Sequence, residues 1–247
     1  MTYCVAMALD QGLVFASDSR TNAGVDHISI YRKMRVWTSE GERVLVLMSA
    51  GNLAITQAVV ANLDQRIRSE NPHRSMMLVD SLYDAAVLVG QAVREIHLRD
   101  AKALKENGVD FNVSLVLGGQ IKGEQPRLFM IYTAGNFIEA TPETPYFQIG
   151  ETKYGKPIID RVVRPGTDLT QAAKCALLSI DSTIRSNVTV GLPIDLVIYQ
   201  RDAFAVGTHQ VINEHDPYFE DIRNRWGQGL NALFLVIPDP PWAIKQG

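Results

Sequence analysis

The chain has 247 residues, 46% hydrophobic and 21% charged, enough to bury a sizeable core in one large domain or two small ones. Its 24 basic and 27 acidic residues give a formal net charge of -3, so nothing in the charge balance points to nucleic acid or to an anionic membrane surface. No apolar run approaches the roughly 18 residues of a membrane span, and no basic stretch leads into an apolar one at the start, so a cytoplasmic protein without a secretory signal is expected.

The chain opens with Thr2 and then Tyr3, Val5, Met7 and Leu9, the period-2 signature of a strand with one buried face. Residues 3–10 and 12–17 read as two strands around Gln11-Gly12, and 18–31 as a polar loop. "MRVWTS" and "RVLVLMSAG" form a second pair around Glu40-Gly41-Glu42. Leu53, Ala54, Ala58, Val59 and Leu63 then recur at helical spacing as far as about Arg68, and Asn71-Pro72 breaks the pattern. A long helix is predicted over roughly 78–106, with Gly108 as its stop. "NVSLVLGGQI", "RLFMIYTA", "FIEAT" and "YFQIG" read as strands. A helix is predicted over 156–163, with Pro157 in its first turn, and Pro165-Gly166 ends that segment. Asp168 with Gln171 reads as a capping pair opening a helix to about Arg185. "IDLVIYQ", "AFAVGTHQVI" and "NALFLVI" read as final strands, before a surface tail at 238–247.

Strands thus come in hairpin-like pairs and helices in pairs, which favours two antiparallel sheets with paired helix layers, a four-layer αββα sandwich, over a doubly wound parallel sheet. No linker or repeat divides the chain, so residues 1–247 read as one domain.

Several chemistries fit poorly. "GETKYGKP" at 150–157 nearly matches a phosphate-binding loop, but Pro157 stands where a hydroxyl must hold Mg²⁺. The two cysteines, Cys4 and Cys175, form no CxxC or Cys/His pattern, and His209 and His215 lack metal-ligand spacing. No metal or cofactor is expected.

Thr2 carries the sharper reading. Removal of Met1 is favoured by a small second residue and would leave Thr2 with a free α-amine beside its own hydroxyl. Such an amine titrates near 7.7–8.0 and can take the hydroxyl proton, so nucleophile and base share one residue. A cation should tune that amine and a carboxylate should orient the cation. Lys33 and Asp18 are the candidates, because adjoining strand ends can bring them to Thr2. Gly51, in "SAGN" at a strand-to-helix turn, could offer a backbone N–H to an oxyanion. Without Thr2, Asp18 is a turn residue, Lys33 a solvated cation and Gly51 a helix-entry glycine.

Taken together, Thr2 opening a strand, "FASDSR", "YRKM", "SAGN", "QIGETKYGK" and "SIDSTIRSNVTVGLPIDLVIY" resemble the N-terminal-nucleophile (Ntn) hydrolases of the proteasome β-subunit type. The resemblance covers nearly the whole chain and runs closest to the bacterial ancestral-beta-subunit branch, Anbu. It implies Thr2 as nucleophile, Lys33 as the charged lysine and Asp18 as the carboxylate paired to it, Gly51 as oxyanion donor and Asp181 as a late-helix aspartate supporting the N-terminus. Asp181 alone could equally cap something or pair with Arg185. Arg20, Glu151, Ser182 and Ser186 are possible supporting residues. Glu151 replaces a small Ser of the family pattern, Ile184 another Ser, and Asn22 a Thr. The resemblance further implies a threonine peptidase acting on peptides or unfolded chains, self-assembled into a ring or open helical stack. The sequence names no unfoldase partner. A small-molecule amide hydrolase and a non-enzymatic assembly subunit are the alternatives on the same fold.

Overall fold

The computed structural model describes residues 2–22, 28–68, 71 and 73–242; Met1, Pro72 and the final five residues of the expected tail lie outside them. Strands β1 (Tyr3–Leu9) and β2 (Gly12–Asp18) form a hairpin, then come the short strands β3 (Arg20–Asn22) and β4 (Ile28–Ile30), and the pair β5 (Met34–Ser39) and β6 (Arg43–Gly51). Helices α1 (Leu53–Ile67) and α2 (Leu82–Glu106) lead into β7 (Val113–Ile121), β8 (Arg127–Ile131), β9 (Phe137–Glu139) and β10 (Tyr146–Gly150). Helices α3 (Thr152–Val162) and α4 (Leu169–Ser186), strands β11 (Ile194–Gln200) and β12 (Thr208–Ile212), and helix α5 (Pro217–Val236) complete the order.

Two five-stranded sheets result, in the orders β10-β1-β2-β11-β12 and β5-β6-β7-β8-β9, with every neighbouring pair antiparallel. Three apolar clusters define the layers. Tyr3, Val5 and Met7 pack against Ala176, Leu177 and Ile180 of α4. Leu45, Leu47 and Leu115 pack against Val59 of α1 and Val89 of α2. Between the sheets, Cys4, Ala6 and Phe15 meet Val46, Met48 and Val116. Gly118 lets the sheets close up, since a Cβ there would lie 2.8 Å from the Phe15 ring. This is the αββα sandwich expected from the strand and helix pairing.

Local signals explain most boundaries. Asn52, Ser81, Asp168 and Asp216 cap α1, α2, α4 and α5, their side chains accepting first-turn N–H groups. Five expectations need correction. Strand β1 is buried on both faces rather than one, because the second sheet covers Cys4 and Ala6. The expected loop at 18–31 contains the β3–β4 pair. Helix α2 begins at Leu82 rather than 78, because the Ser81 cap fixes its start. Helix α3 begins at Thr152, which puts Pro157 inside the helix instead of in its first turn. The run at 231–237, read as a strand, continues α5, whose start is set by the Asp216 cap and Pro217 in the first turn. The six apolar residues that follow Asn231 carry no periodicity that separates strand from helix.

Candidate active site

Thr2 precedes β1 and is nearly buried at 9% exposure. Its main chain is clamped from the end of β10. The Thr2 carbonyl accepts the Glu151 N–H at 2.8 Å, and Tyr3 pairs with Gly150 in the β1–β10 register. Gly150 has φ +85°, and a Cβ there would come within 1.9 Å of the Thr2 carbonyl oxygen, so only glycine fits. On the other side of β1, the Tyr3 N–H donates to Asp18 Oδ1 at 3.0 Å. Deeper in, the Tyr3 hydroxyl donates to Ser179 Oγ at 3.1 Å.

Asp18 ends β2 and has no solvent exposure. Its Oδ1 accepts from Lys33 Nζ at 2.6 Å, and its Oδ2 from the Gly191 N–H at 3.4 Å. Lys33, just before β5, also donates to the Arg20 carbonyl at 2.7 Å. The Arg20 guanidinium reaches the Val188 carbonyl at 3.1 Å, tying the segment before Gly191 to the same assembly. Burial pushes the Asp18 carboxyl up, while the Lys33 ammonium and the Tyr3 and Gly191 N–H groups pull it back without reversing the direction. Ionised, the pair is two buried opposite charges in contact, an arrangement stable only when both partners are present.

Thr2, Lys33 and Gly51 border one cavity of about 130 Å³, together with Thr21, Tyr31 and Ser49. Gly51 stands at the β6–α1 junction with φ +119°, where a Cβ would come within 2.4 Å of the Asn112 carbonyl oxygen. Thr2, Asp18, Lys33 and Gly51 are therefore brought together, with the Arg20 carbonyl and Glu151 N–H in support. The Glu151 carboxylate instead faces Lys153 at 4.0 Å. Asp181 is buried on α4, paired with Arg185 at 3.1 Å and with Arg223 of α5 at 2.5 Å, and is not among the residues bordering the cavity. Ser182 and Ser186 lie on α4 and do not border it either.

Sequence reasoning missed Ser19 and Asp195, whose Oγ and Oδ2 lie 3.0 Å apart across β2 and β11, and missed Tyr31 and Ser49 as cavity walls. A carboxylate interrupting the apolar run of a central strand, as Asp195 does in "IDLVIY", was the available signal. Among the described residues no group of three or more His, Cys, Asp or Glu side chains could hold a metal ion. No helix among them is long and apolar enough to cross a membrane.

Two antiparallel sheets between helix pairs, with the first strand's start clamped beside a buried acid–lysine pair, define the Ntn fold of the proteasome type. Residues 2–199 match the family described as "Proteasome subunit". Anbu (ancestral beta-subunit) from Yersinia bercovieri is 56% identical, covering 97% of this chain and 99% of that one, with a TM-score of 0.91. The Anbu complex from Pseudomonas aeruginosa, described as a helical assembly, is 50% identical over 99% and 100% of the two chains, with a TM-score of 0.93. Anbu from Hyphomicrobium sp. strain MC1 is 50% identical over 97% and 100%, with a TM-score of 0.90. The chain belongs to the proteasome subunit family, on its Anbu branch. Among curated proteins none matches.

Proposed function

We propose that this chain is a threonine peptidase that uses Thr2 after removal of Met1. The observation that carries the reading is the buried Asp18–Lys33 pair at 2.6 Å, whose lysine borders the same cavity as Thr2. A buried ion pair adds little stability over apolar packing, so its place beside a candidate nucleophile favours a chemical role. The Thr2 α-amine takes the Oγ proton as Oγ bonds to the substrate carbonyl carbon. The Gly51 N–H stabilises the resulting oxyanion, a contribution typically worth about 3 kcal/mol. The protonated amine then delivers its proton to the leaving nitrogen as the C–N bond breaks. Water, activated by the same amine, cleaves the acyl ester, releasing the acid and restoring the hydroxyl. Lys33, held by Asp18, supplies the positive charge that keeps the amine basic form available. No step needs a metal or cofactor.

The described helical assembly of a relative supports self-assembly, and so does this chain's own surface. Leu233, Phe234, Leu235, Val236 and Trp242 are all more than half exposed at the end of α5 and just beyond it. An apolar patch of this kind is an interface feature rather than a solvated helix end. Assembly would confine access to small peptides or unfolded chains, in a cytoplasmic setting. The cavity of about 130 Å³ favours a second reading, a small-molecule amide hydrolase on the same site.

The test is a panel of fluorogenic peptide amides beside small acyl amides. The peptidase reading expects peptide turnover that falls by on the order of 10³ in Thr2→Ala and is retained in part in Thr2→Ser. Turnover of acyl amides alone selects the second reading. Turnover of neither class, by protein of confirmed mature N-terminus, rejects both.

A further inference from the structure

A groove of about 560 Å³ lies at the start of α2, in the helix layer that covers the second sheet. Its apolar lining is Leu78 and Val79 from the segment before the helix and Val87 and Leu88 from the helix itself. Val79 and Leu88 are buried, but Leu78 is 43% exposed, so the groove leaves apolar surface open to solvent. Asp80 and Asp84 also line it, both exposed and without an ion-pair partner among the described residues. Among those residues no lysine or arginine lines it. Three other cavities, of about 450–570 Å³, all have arginine on their walls. Of the four, this groove joins open apolar surface to negative charge with no fixed cation beside it.

A complementary segment follows α5. Trp242 is 83% exposed, so it fills no groove of its own chain. Pro238, Pro240 and Pro241 precede it and restrict the backbone, which lowers the entropy lost on docking. Ile244 and Lys245 follow it in the sequence, and residues 243–247 contain no acid. A tryptophan buries about 150–250 Å² and is enriched among the anchors of protein interfaces. Lys245 brings the cation that Asp80 and Asp84 lack, whereas the arginine-lined cavities would repel it. Helix α5 is rooted against α4 by Phe219 and Ile222, in the layer outside the first sheet. Donor and acceptor therefore start from opposite outer layers of the sandwich. A contact between two such different surfaces is head-to-tail and passes from copy to copy.

We propose that the groove at the start of α2 is the docking site for residues 238–247 of a second copy of this chain, with Trp242 on the Leu78, Val87 and Leu88 floor and Lys245 beside Asp80 and Asp84. The choice of occupant rests on the self-assembly reading, but donor and acceptor both lie outside the apolar patch at 233–236.

The test uses full-length protein and a fluorescein-labelled peptide of residues 237–247. Trp242→Ala protein, whose own segment is disarmed, should bind the peptide saturably. Trp242→Ala in the peptide should weaken binding about 10-fold or more. Lys245→Glu in the peptide should weaken it about threefold, and Asp80→Lys in the protein should recover that loss. Both charged positions are on the surface, so this exchange reads the contact without disturbing the core. Leu78→Gln/Val87→Gln protein should bind the peptide about 10-fold more weakly. That same variant keeps its own segment, so unlabelled it should displace the peptide from Trp242→Ala protein, and adding Trp242→Ala to it should abolish the displacement. No saturable binding, equal binding of the Trp242→Ala peptide, or no displacement by the competitor overturns the proposal. If it is overturned while light scattering still shows assemblies that Phe234→Asp/Leu235→Glu dissolves, the self-assembly reading stands and the groove alone fails. If the protein is monomeric at every concentration, the self-assembly reading fails and the docking site with it.

Discussion

Replacing Asp18 by Asn keeps the side chain's shape and removes its charge. The carboxylate accepts from Lys33 Nζ at 2.6 Å, the Tyr3 N–H at 3.0 Å and the Gly191 N–H at 3.4 Å, and the Lys33 side chain is 4% exposed. In the variant the ammonium keeps the neutral Arg20 carbonyl at 2.7 Å but loses its counter-charge. Removing one member of a buried ion pair costs about 3–5 kcal/mol. At about 2–4 °C per kcal/mol for a chain of this size, Tm should fall by roughly 6–20 °C. The double variant Asp18→Asn/Lys33→Met buries no lone charge and should recover most of that loss. Urea unfolding and calorimetry of the three proteins measure both effects. A loss below about 1 kcal/mol, or a double variant no more stable than the single one, would refute the buried pair as the element that fixes Lys33. The pH dependence has a definite sign. Because burial raises the Asp18 carboxyl, the folded state still holds its proton after the unfolded chain has released one at about 3.9. This group's contribution to stability therefore falls as pH rises from there through its folded value, and is flat above it. Asp18→Asn should remove that segment of the pH–stability curve.

Gly150→Ala should destabilise the protein more than Gly123→Ala, because both glycines have positive φ but only Gly150 would press a Cβ against the Thr2 carbonyl. The Gly123 variant should lose about 1–2 kcal/mol from backbone strain alone, and only the Gly150 variant should also lose turnover, as chemical denaturation and a peptide assay will show. Cys4 is fully buried with its thiol pushed far up, and burial pushes the Cys175 thiol up to about 11. Neither should react with a thiol reagent in the native protein, and both should react in denaturant. Phe234→Asp with Leu235→Glu should dissolve higher assemblies without lowering Tm, because both side chains are exposed; light scattering and calorimetry test this.

The core of the site was legible because strand ends carry it. The switch from apolar to polar at "FASDSR" places Asp18 at the end of β2, and "YRKM" places Lys33 at the entry to β5. The Gly51 turn was legible because a strand pattern gives way there to helical spacing. What escaped depends on contacts distant in sequence. The Asp195–Ser19 contact needs the β2–β11 register, which no local pattern encodes. Asp181 reads locally as a partner for Arg185, which the fold bears out, but its second partner, Arg223 of α5, is 42 residues away and no local pattern announces it. Helix α5 was half hidden because its last turns are apolar on every side, and the amphipathic signal that separates helix from strand is lost there.

The most direct measurement is the intact mass and peptide map of purified protein before and after reaction with a peptidyl electrophile. The expected result is a chain beginning at Thr2 that gains one adduct, located on Thr2 and absent from the Thr2→Ala protein. A retained Met1, or an adduct on any other residue, would contradict the assignment of Thr2 as nucleophile.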